Sequence, residues 1–151
     1  MSQSQQELQA LSQELQQIRE QIEGLQGSVE EIRTEKTEVD EAIDAIGSLE
    51  TGSTVQVPLG GGAYVRADLQ DIDEVLVELG GEYAAEFDQD DAVDVLENKK
   101  ERLDDRIEDV TEEISELEAE STQLEGQAQQ LQQQAMQQQM GALGGQGDPD
   151  E

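Results

Sequence analysis

The sequence predicts an α+β fold: a long antiparallel coiled-coil hairpin with two central β-hairpins that assemble into a β platform or barrel. Two long segments carry apolar residues at alternating spacings of three and four, which is the heptad period of a coiled coil. Between them, residues 54–87 alternate with the period of two that is typical of strands. We therefore expect an N-terminal coiled-coil helix at 1–47, two β-hairpins for assembly at 48–88, a C-terminal coiled-coil helix at 89–140 and a disordered acidic tail at 141–151.

The composition excludes several functional classes. Among 151 residues, 38 are acidic and 8 are basic, so the net charge is −30. Such a charge repels nucleic acid phosphates and anionic membranes, whereas concentrated salt screens it within a few ångströms. We therefore expect a protein from a halophile, with neither a nucleic acid nor a membrane as partner. There is no cysteine and no apolar run of the length that a signal peptide or membrane span needs, so we expect a cytoplasmic chain without disulfides.

The first helix is predicted from an unbroken heptad pattern in which only Lys36 is polar. Gly47 follows the last periodic residue and is the predicted helix stop. The core positions a and d of this helix are Leu8, Leu11, Leu15, Ile18, Ile22, Leu25, Val29, Ile32, Lys36, Val39, Ile43 and Ile46.

The second helix repeats the pattern, and Asp88, Asp90 and Asp91 are candidate N-caps. Its core positions are Val93, Leu96, Lys100, Leu103, Ile107, Val110, Ile114, Leu117, Ser121, Leu124, Ala128, Leu131 and Ala135. If residues whose numbers sum to 139 face each other, every a position meets a d position. Two patterns of equal length and phase predict an intramolecular antiparallel hairpin, with Lys36 and Lys100 as polar layers that fix the register.

The strands are predicted from apolar alternation and from glycine turns at 60–62 and 80–81. Pro58 has no N–H to donate, so its strand should be an edge or carry a bulge. Isolated hairpins are marginally stable in water, so we expect a partner sheet to cover them. The predicted assembly residues are Val55, Val57, Leu59, Val65, Val75, Val77, Leu79 and Tyr83.

The free ends of the two helices differ from the rest of the chain in charge. Residues 121–147 contain one charged side chain, Glu125, and residues 1–18 contain only Glu7 and Glu14. Glutamine fills both stretches, and methionine, which adapts to irregular surfaces, lies near the far end. A frayed helix end with a low-complexity tail explains the composition equally well. As a binding surface, the tip would consist of Leu8, Leu11, Leu15, Leu131, Met136 and Met140.

Signals of catalysis are absent from the sequence. Without histidine or cysteine there is no His–Ser or Cys–His pair and no soft metal site. The glycines at 60–62 are followed by no Lys-Ser/Thr pair, which a phosphate-binding loop requires. Asp88 and Asp90 begin like a calcium loop, but the later glycine and glutamate are missing. We therefore expect no enzyme activity and no cofactor.

The stretch from Val55 to Glu86 resembles the α-type subunits of the archaeal prefoldin family. The resemblance is carried by Pro-Leu-Gly at 58–60, Tyr-Val at 64–65 and Val-Leu-Val-Glu-Leu-Gly at 75–80. It implies an ATP-independent holdase, a chaperone that captures non-native polypeptides with coiled-coil tips and passes them to a chaperonin. It also implies a hetero-hexamer of two α-type with four β-type subunits joined through the hairpins.

A competing interpretation is a structural coiled-coil tether. In that case the hairpins would set an assembly, and the tip would bind one defined partner. A tether has no need of an uncharged, loosely packed tip, and it should protect no unfolded client from aggregation.

Overall fold

The computed structural model describes residues 3–146, which form two long helices and two antiparallel β-hairpins. The elements are α1 (Gln3–Ser48), β1 (Thr54–Gly60), β2 (Ala63–Asp68), β3 (Val75–Gly80), β4 (Tyr83–Phe87) and α2 (Gln89–Gln146). The chain divides into two compact units. The hairpin unit comprises Glu31–Ile107, and the helical unit comprises the described residues before and after it.

In the hairpin unit, one face of the second β-hairpin packs against both helices. The buried core consists of Ile32, Val39, Val77, Ala92, Leu96 and Leu103. Val75 and Phe87, which pair across β3 and β4, lie partly buried against it. Apolar burial of this kind stabilises a fold by roughly 25 cal/mol per Å². The alternation in β3 and β4 therefore places one face of that hairpin in the core of its own chain.

Both hairpins turn through residues with positive φ, as the glycine clusters predicted. In the first hairpin Gly61 and Gly62 have φ angles of 61° and 80°; in the second Gly81 and Glu82 have 58° and 69°. Positive φ at both central residues gives a turn whose twist matches the strands. Glu82 is a non-glycine residue in a left-handed conformation, which costs about 1–2 kcal/mol. The bulge predicted for the strand of Pro58 is present as a register shift between Pro58 and Gly60. The second hairpin has the same shift between Glu78 and Gly80 without a proline.

Side chains from the hairpin connections hold the ends of the two helices. The Asp88 carboxylate accepts a hydrogen bond from the Asp91 backbone N–H at 2.8 Å, which confirms Asp88 as an N-cap of α2. The Gln89 amide donates to the carbonyl oxygens of Ile46 at 2.7 Å and of Leu49 at 2.9 Å. One side chain at the start of α2 thus satisfies two carbonyls that the end of α1 leaves without helical partners.

The helix ends differ from those predicted. The helix α1 continues through Gly47 to Ser48, and Gly47 is not among the residues with positive φ, so the predicted glycine stop is wrong. The Gln89 amide satisfies carbonyls there instead. The helix α2 runs to Gln146, six residues into the predicted disordered tail. No proline interrupts the chain between Gln89 and Gln146. The tail residues 147–151 lie outside the described part of the chain.

The predicted heptad positions are the less exposed residues of both helices. Every a and d position named above is either buried or half-buried. In the helical unit, Leu15, Ile18 and Val29 are buried. The Arg19 guanidinium there meets the Glu125 carboxylate at 3.2 Å, which joins α1 to α2. Within residues 3–146 neither helix has a stretch that is long and apolar enough to cross a membrane.

In the hairpin unit, two lysines at core positions form ion pairs between the helices. Lys36 lies 2.6 Å from Asp104 and Lys100 lies 2.7 Å from Asp40. In each ion pair the two residue numbers sum to 140, one more than the sum of 139 predicted for facing core positions. The two helices therefore run antiparallel here. The hydrogen bond and charge of Asp40 raise the pKa of Lys100 above its ordinary value. The lysines occupy a positions because their ammonium groups reach the aspartates at the edge of the core.

Salt should decide whether this chain stays folded. With 38 acidic and 8 basic residues, one-to-one pairing would still leave 30 carboxylates without a basic partner. We expect the helical circular dichroism signal to fall as KCl is diluted from about 1 M to about 10 mM, because the screening length grows from roughly 3 to 30 Å. Sucrose at low salt is the control, since it stabilises without screening. A signal unchanged by dilution would contradict repulsion as the cause.

Candidate functional site

An exposed apolar surface lies where the N-terminal part of α1 meets the C-terminal part of α2. We call it the helix-end surface and define it by Leu8, Leu11, Leu131, Met136 and Met140. The three leucines are half-buried, whereas the two methionines are 63% and 70% exposed. Large apolar side chains exposed close together, as here, mark interaction sites more often than isolated ones do.

An open groove of about 620 Å³ forms the main part of this surface. Its lining consists of Gln5, Leu8, Gln132, Ala135, Met136, Gln138 and Gln139, and it contains no charged side chain. The small Ala135 methyl group fills little of the space beside Leu8. The available groups are aliphatic carbons, a thioether and primary amides, which suit apolar side chains and peptide hydrogen bonds.

A second groove, of about 290 Å³, continues the helix-end surface. Its apolar lining comes from Ala10, Leu11 and Leu131, and its charged lining from Glu7 and Glu14. These are the only carboxylates of residues 1–18. An apolar polypeptide on this second groove would remove water from two carboxylates, so the desolvation cost is lower in the uncharged first groove.

One predicted tip residue does not belong to this surface. Leu15 is buried in the core of the helical unit, because it occupies a heptad position where both helices pack closely. Leu8, Leu11 and Leu131 line the grooves with Met136, and Met140 lies one helical turn beyond Met136. The structure thus brings five of the six predicted tip residues to one region.

A second exposed apolar surface lies on the hairpins, and we call it the hairpin surface. It consists of Val57, Leu59, Tyr64, Val65, Leu76, Leu79 and Tyr83. Tyr83 is 77% exposed beside the β3–β4 turn, and Leu76 is 71% exposed on the strand itself. The strands form two separate two-stranded sheets and not a closed barrel, so each hairpin has unpaired strand edges.

The predicted assembly residues divide between the hairpin surface and the chain's own core. Val57, Leu59, Val65, Leu79 and Tyr83 belong to the exposed set. Val55 is half-buried. Val77 is only 6% exposed, and Val75 packs beside it, so both stabilise the hairpin unit directly. The alternation identified the apolar face of β3, but it did not show that the helices of the same chain cover this face.

Sequence reasoning missed Leu76 and Tyr64 as exposed apolar residues of the hairpins. The available signal was the consecutive apolar run from Val75 to Val77, since a strand with one solvated face alternates strictly. Tyr64 and Val65 likewise form a consecutive pair. Apolar side chains on both faces of a strand indicate that both faces are to be covered.

Comparison with known proteins supports one family. The sequence model of the family described as "Prefoldin subunit" matches residues 4–134. The chain is 64% identical over 107 residues to "Prefoldin subunit alpha" of Halorubrum lacusprofundi, a match that covers 71% of this chain and 70% of that protein. It is 65% identical over 103 residues to the protein of that name from Halobacterium salinarum, covering 68% and 67%. Both relatives come from halophilic archaea.

The fold matches a solved structure as well. A chain in the cryo-EM structure of filamentous PFD from Methanocaldococcus jannaschii aligns with a TM-score of 0.67. The alignment covers 76% of this chain and 98% of that chain at 24% sequence identity. Identity at this level carries the fold and no more, and the shared fold is α+β with two long helices and two small hairpins.

Proposed function

Because the chain belongs to the prefoldin family, we propose that it is an α-type chaperone subunit that captures non-native polypeptides without ATP. In this proposal the helix-end surface binds apolar segments of the client. The hairpins join the chain to β-type subunits in a complex of two α-type with four β-type chains. The client then passes to a chaperonin.

The observation that supports client binding is the uncharged groove in a chain with a net charge of −30. Acidic side chains are frequent in the hairpin unit, whereas the groove is lined by Leu8, Ala135, Met136 and glutamine amides and has no charged side chain. Apolar contact of this size is weak and depends little on client sequence. Several such surfaces in one complex would raise the effective concentration and hold a client firmly.

The exposed methionines provide a direct test of this proposal. Replacing Met136 and Met140 by glutamine removes apolar area without touching the core, because both side chains are mostly exposed. We expect several-fold more complex to be needed to suppress aggregation of unfolded clients, while helicity stays unchanged. The matched control replaces both methionines by leucine, which keeps the apolar area and should keep the activity.

The choice of clients separates a chaperone from a tether. At least three unrelated unfolded proteins should be tested in high salt, with and without ATP. We expect protection of all of them and no effect of ATP. Protection of none, with assembly intact, would contradict the proposed function and favour a structural tether.

A further inference from the structure

The side chains that peroxides oxidise most readily are unevenly placed in this chain. The sequence has no cysteine, histidine or tryptophan, and its three methionines are Met1, Met136 and Met140. Met1 lies outside the described residues, whereas Met136 and Met140 belong to the helix-end surface and are 63% and 70% exposed. Peroxides convert an accessible methionine thioether into a sulfoxide. Within residues 3–146, the sulfur atoms open to this reaction therefore lie on the helix-end surface.

The packed parts of both units resist the same oxidants. Among the described residues, the buried apolar side chains are leucine, isoleucine, valine and alanine, which have no atom that peroxide attacks. Tyr64 and Tyr83 are exposed on the hairpins, but phenols are oxidised by one-electron oxidants and not by transfer of a peroxide oxygen. Peroxide should therefore leave both units folded and change the helix-end surface.

The two methionines lie on one side of α2. They are four residues apart, so their side chains are neighbours on the helix surface. Met136 lines the open groove together with Leu8, and Gln132 and Gln139 line it one helical turn to either side of Met136. A sulfoxide oxygen at Met136 can accept a hydrogen bond from these primary amides. Oxidation would thus make an apolar part of the groove polar, in surroundings that suit the polar form.

We propose that Met136 and Met140 are oxidation sites through which hydrogen peroxide weakens the capture of apolar polypeptides. The sulfur lone pair attacks one peroxide oxygen, and an S–O bond forms while the O–O bond breaks. The transferred oxygen gives its proton to the departing hydroxide, which leaves as water, so sulfur loses two electrons and the peroxide gains them. The sulfoxide is polar, so the helix-end surface loses its two most exposed apolar side chains. This inference rests on the function proposed for that surface.

Oxidation at these two positions can be measured without any client. The full-length chain in high salt is treated with hydrogen peroxide, which catalase then removes, and its peptides are analysed by mass spectrometry. We expect sulfoxide at Met136 and Met140 at close to the rate of an unstructured peptide that contains methionine, with an unchanged helical circular dichroism signal. Oxidation that is much slower than in the peptide would show that both side chains are covered, and it would overturn the proposal.

Suppression of client aggregation tests the consequence, with the oxidised chain assembled with untreated partner subunits. Several-fold more of this complex should be needed, as for the variant with Met136→Gln and Met140→Gln, because a sulfoxide and an amide are both polar and uncharged. The matched control carries Met136→Leu and Met140→Leu; it keeps Met1 and should protect clients equally before and after peroxide. Full protection by the oxidised parent, or an equal loss in the leucine variant, would show that the proposed site is wrong.

Binding of the uncharged dye Nile red separates this inference from the proposed function. The dye fluoresces on apolar surface, so its signal should fall when the parent chain is oxidised and stay constant in the leucine variant. Dye bound at the hairpin surface gives the same background in both chains. If the reduced parent protects no client while the dye signal still falls on oxidation, the proposed function fails and the loss of apolar surface stands. An unchanged dye signal in a chain that carries both sulfoxides would overturn the inference itself.

Discussion

Removing residues 1–14 together with 126–151 is expected to abolish protection of unfolded clients while leaving assembly through the hairpins intact. The truncation deletes both grooves, including Leu8 and Met136. It keeps the buried Leu15 and the 3.2 Å ion pair between Arg19 and Glu125, so the remaining helices stay joined. Client aggregation measured by light scattering, and complex mass measured by sedimentation, give the two readouts.

A shorter truncation serves as the control. Deleting residues 141–151 alone keeps Met140 and both grooves, and we expect protection close to that of the full chain. If the long truncation still protects clients as well as the full-length chain does, the helix-end surface is not the binding site. Loss of assembly as well as protection would instead show that the helical unit contributes to the oligomer.

Substitutions at two neighbouring positions of β3 should differ strongly in their effect on the free energy of unfolding. Val77→Asp is expected to lower the free energy of unfolding by more than about 3 kcal/mol, because it buries an unpaired carboxylate in the core of the hairpin unit. Leu76→Asp places the same charge on an exposed position, and its effect on the unfolding of a single chain should stay within about 0.5 kcal/mol. Chemical denaturation at constant high salt measures both.

The concentration dependence of unfolding separates folding from assembly. Because association stabilises the native state by mass action, the midpoint for the parent chain should rise with protein concentration. The midpoint for the Leu76→Asp chain should lose this dependence if the exposed hairpin surface, to which Leu76 belongs, is where the chains associate. If Leu76→Asp unfolds as readily as Val77→Asp, the outer face of β3 belongs to the core and is not an assembly surface.

The sequence alone was sufficient for the elements and their order. Heptad spacing identified the buried side of both helices, since a period of 3.5 aligns apolar side chains along one side. Glycine clusters identified both turns, because positive φ is easily reached without a Cβ. Asp88 was identified among three candidate aspartates as an N-cap, because its side chain can accept from a free backbone N–H of the first helical turn. These features depend on local geometry, which neighbouring residues determine.

Only the tertiary structure decided which apolar side chains the rest of the chain covers and which it leaves exposed. Alternation treats Val77 and Leu79 alike, yet Val77 lies in the core and Leu79 is half exposed, because the helices pack against one and not the other. Leu11 and Leu15 both occupy core positions of the heptad pattern, yet packing buries Leu15 and leaves Leu11 half-buried. Gln89 carries no sequence signal for capping α1, since its partners Ile46 and Leu49 are some forty residues away. Burial and long-range hydrogen bonds depend on where distant segments meet, and a periodic pattern does not specify that.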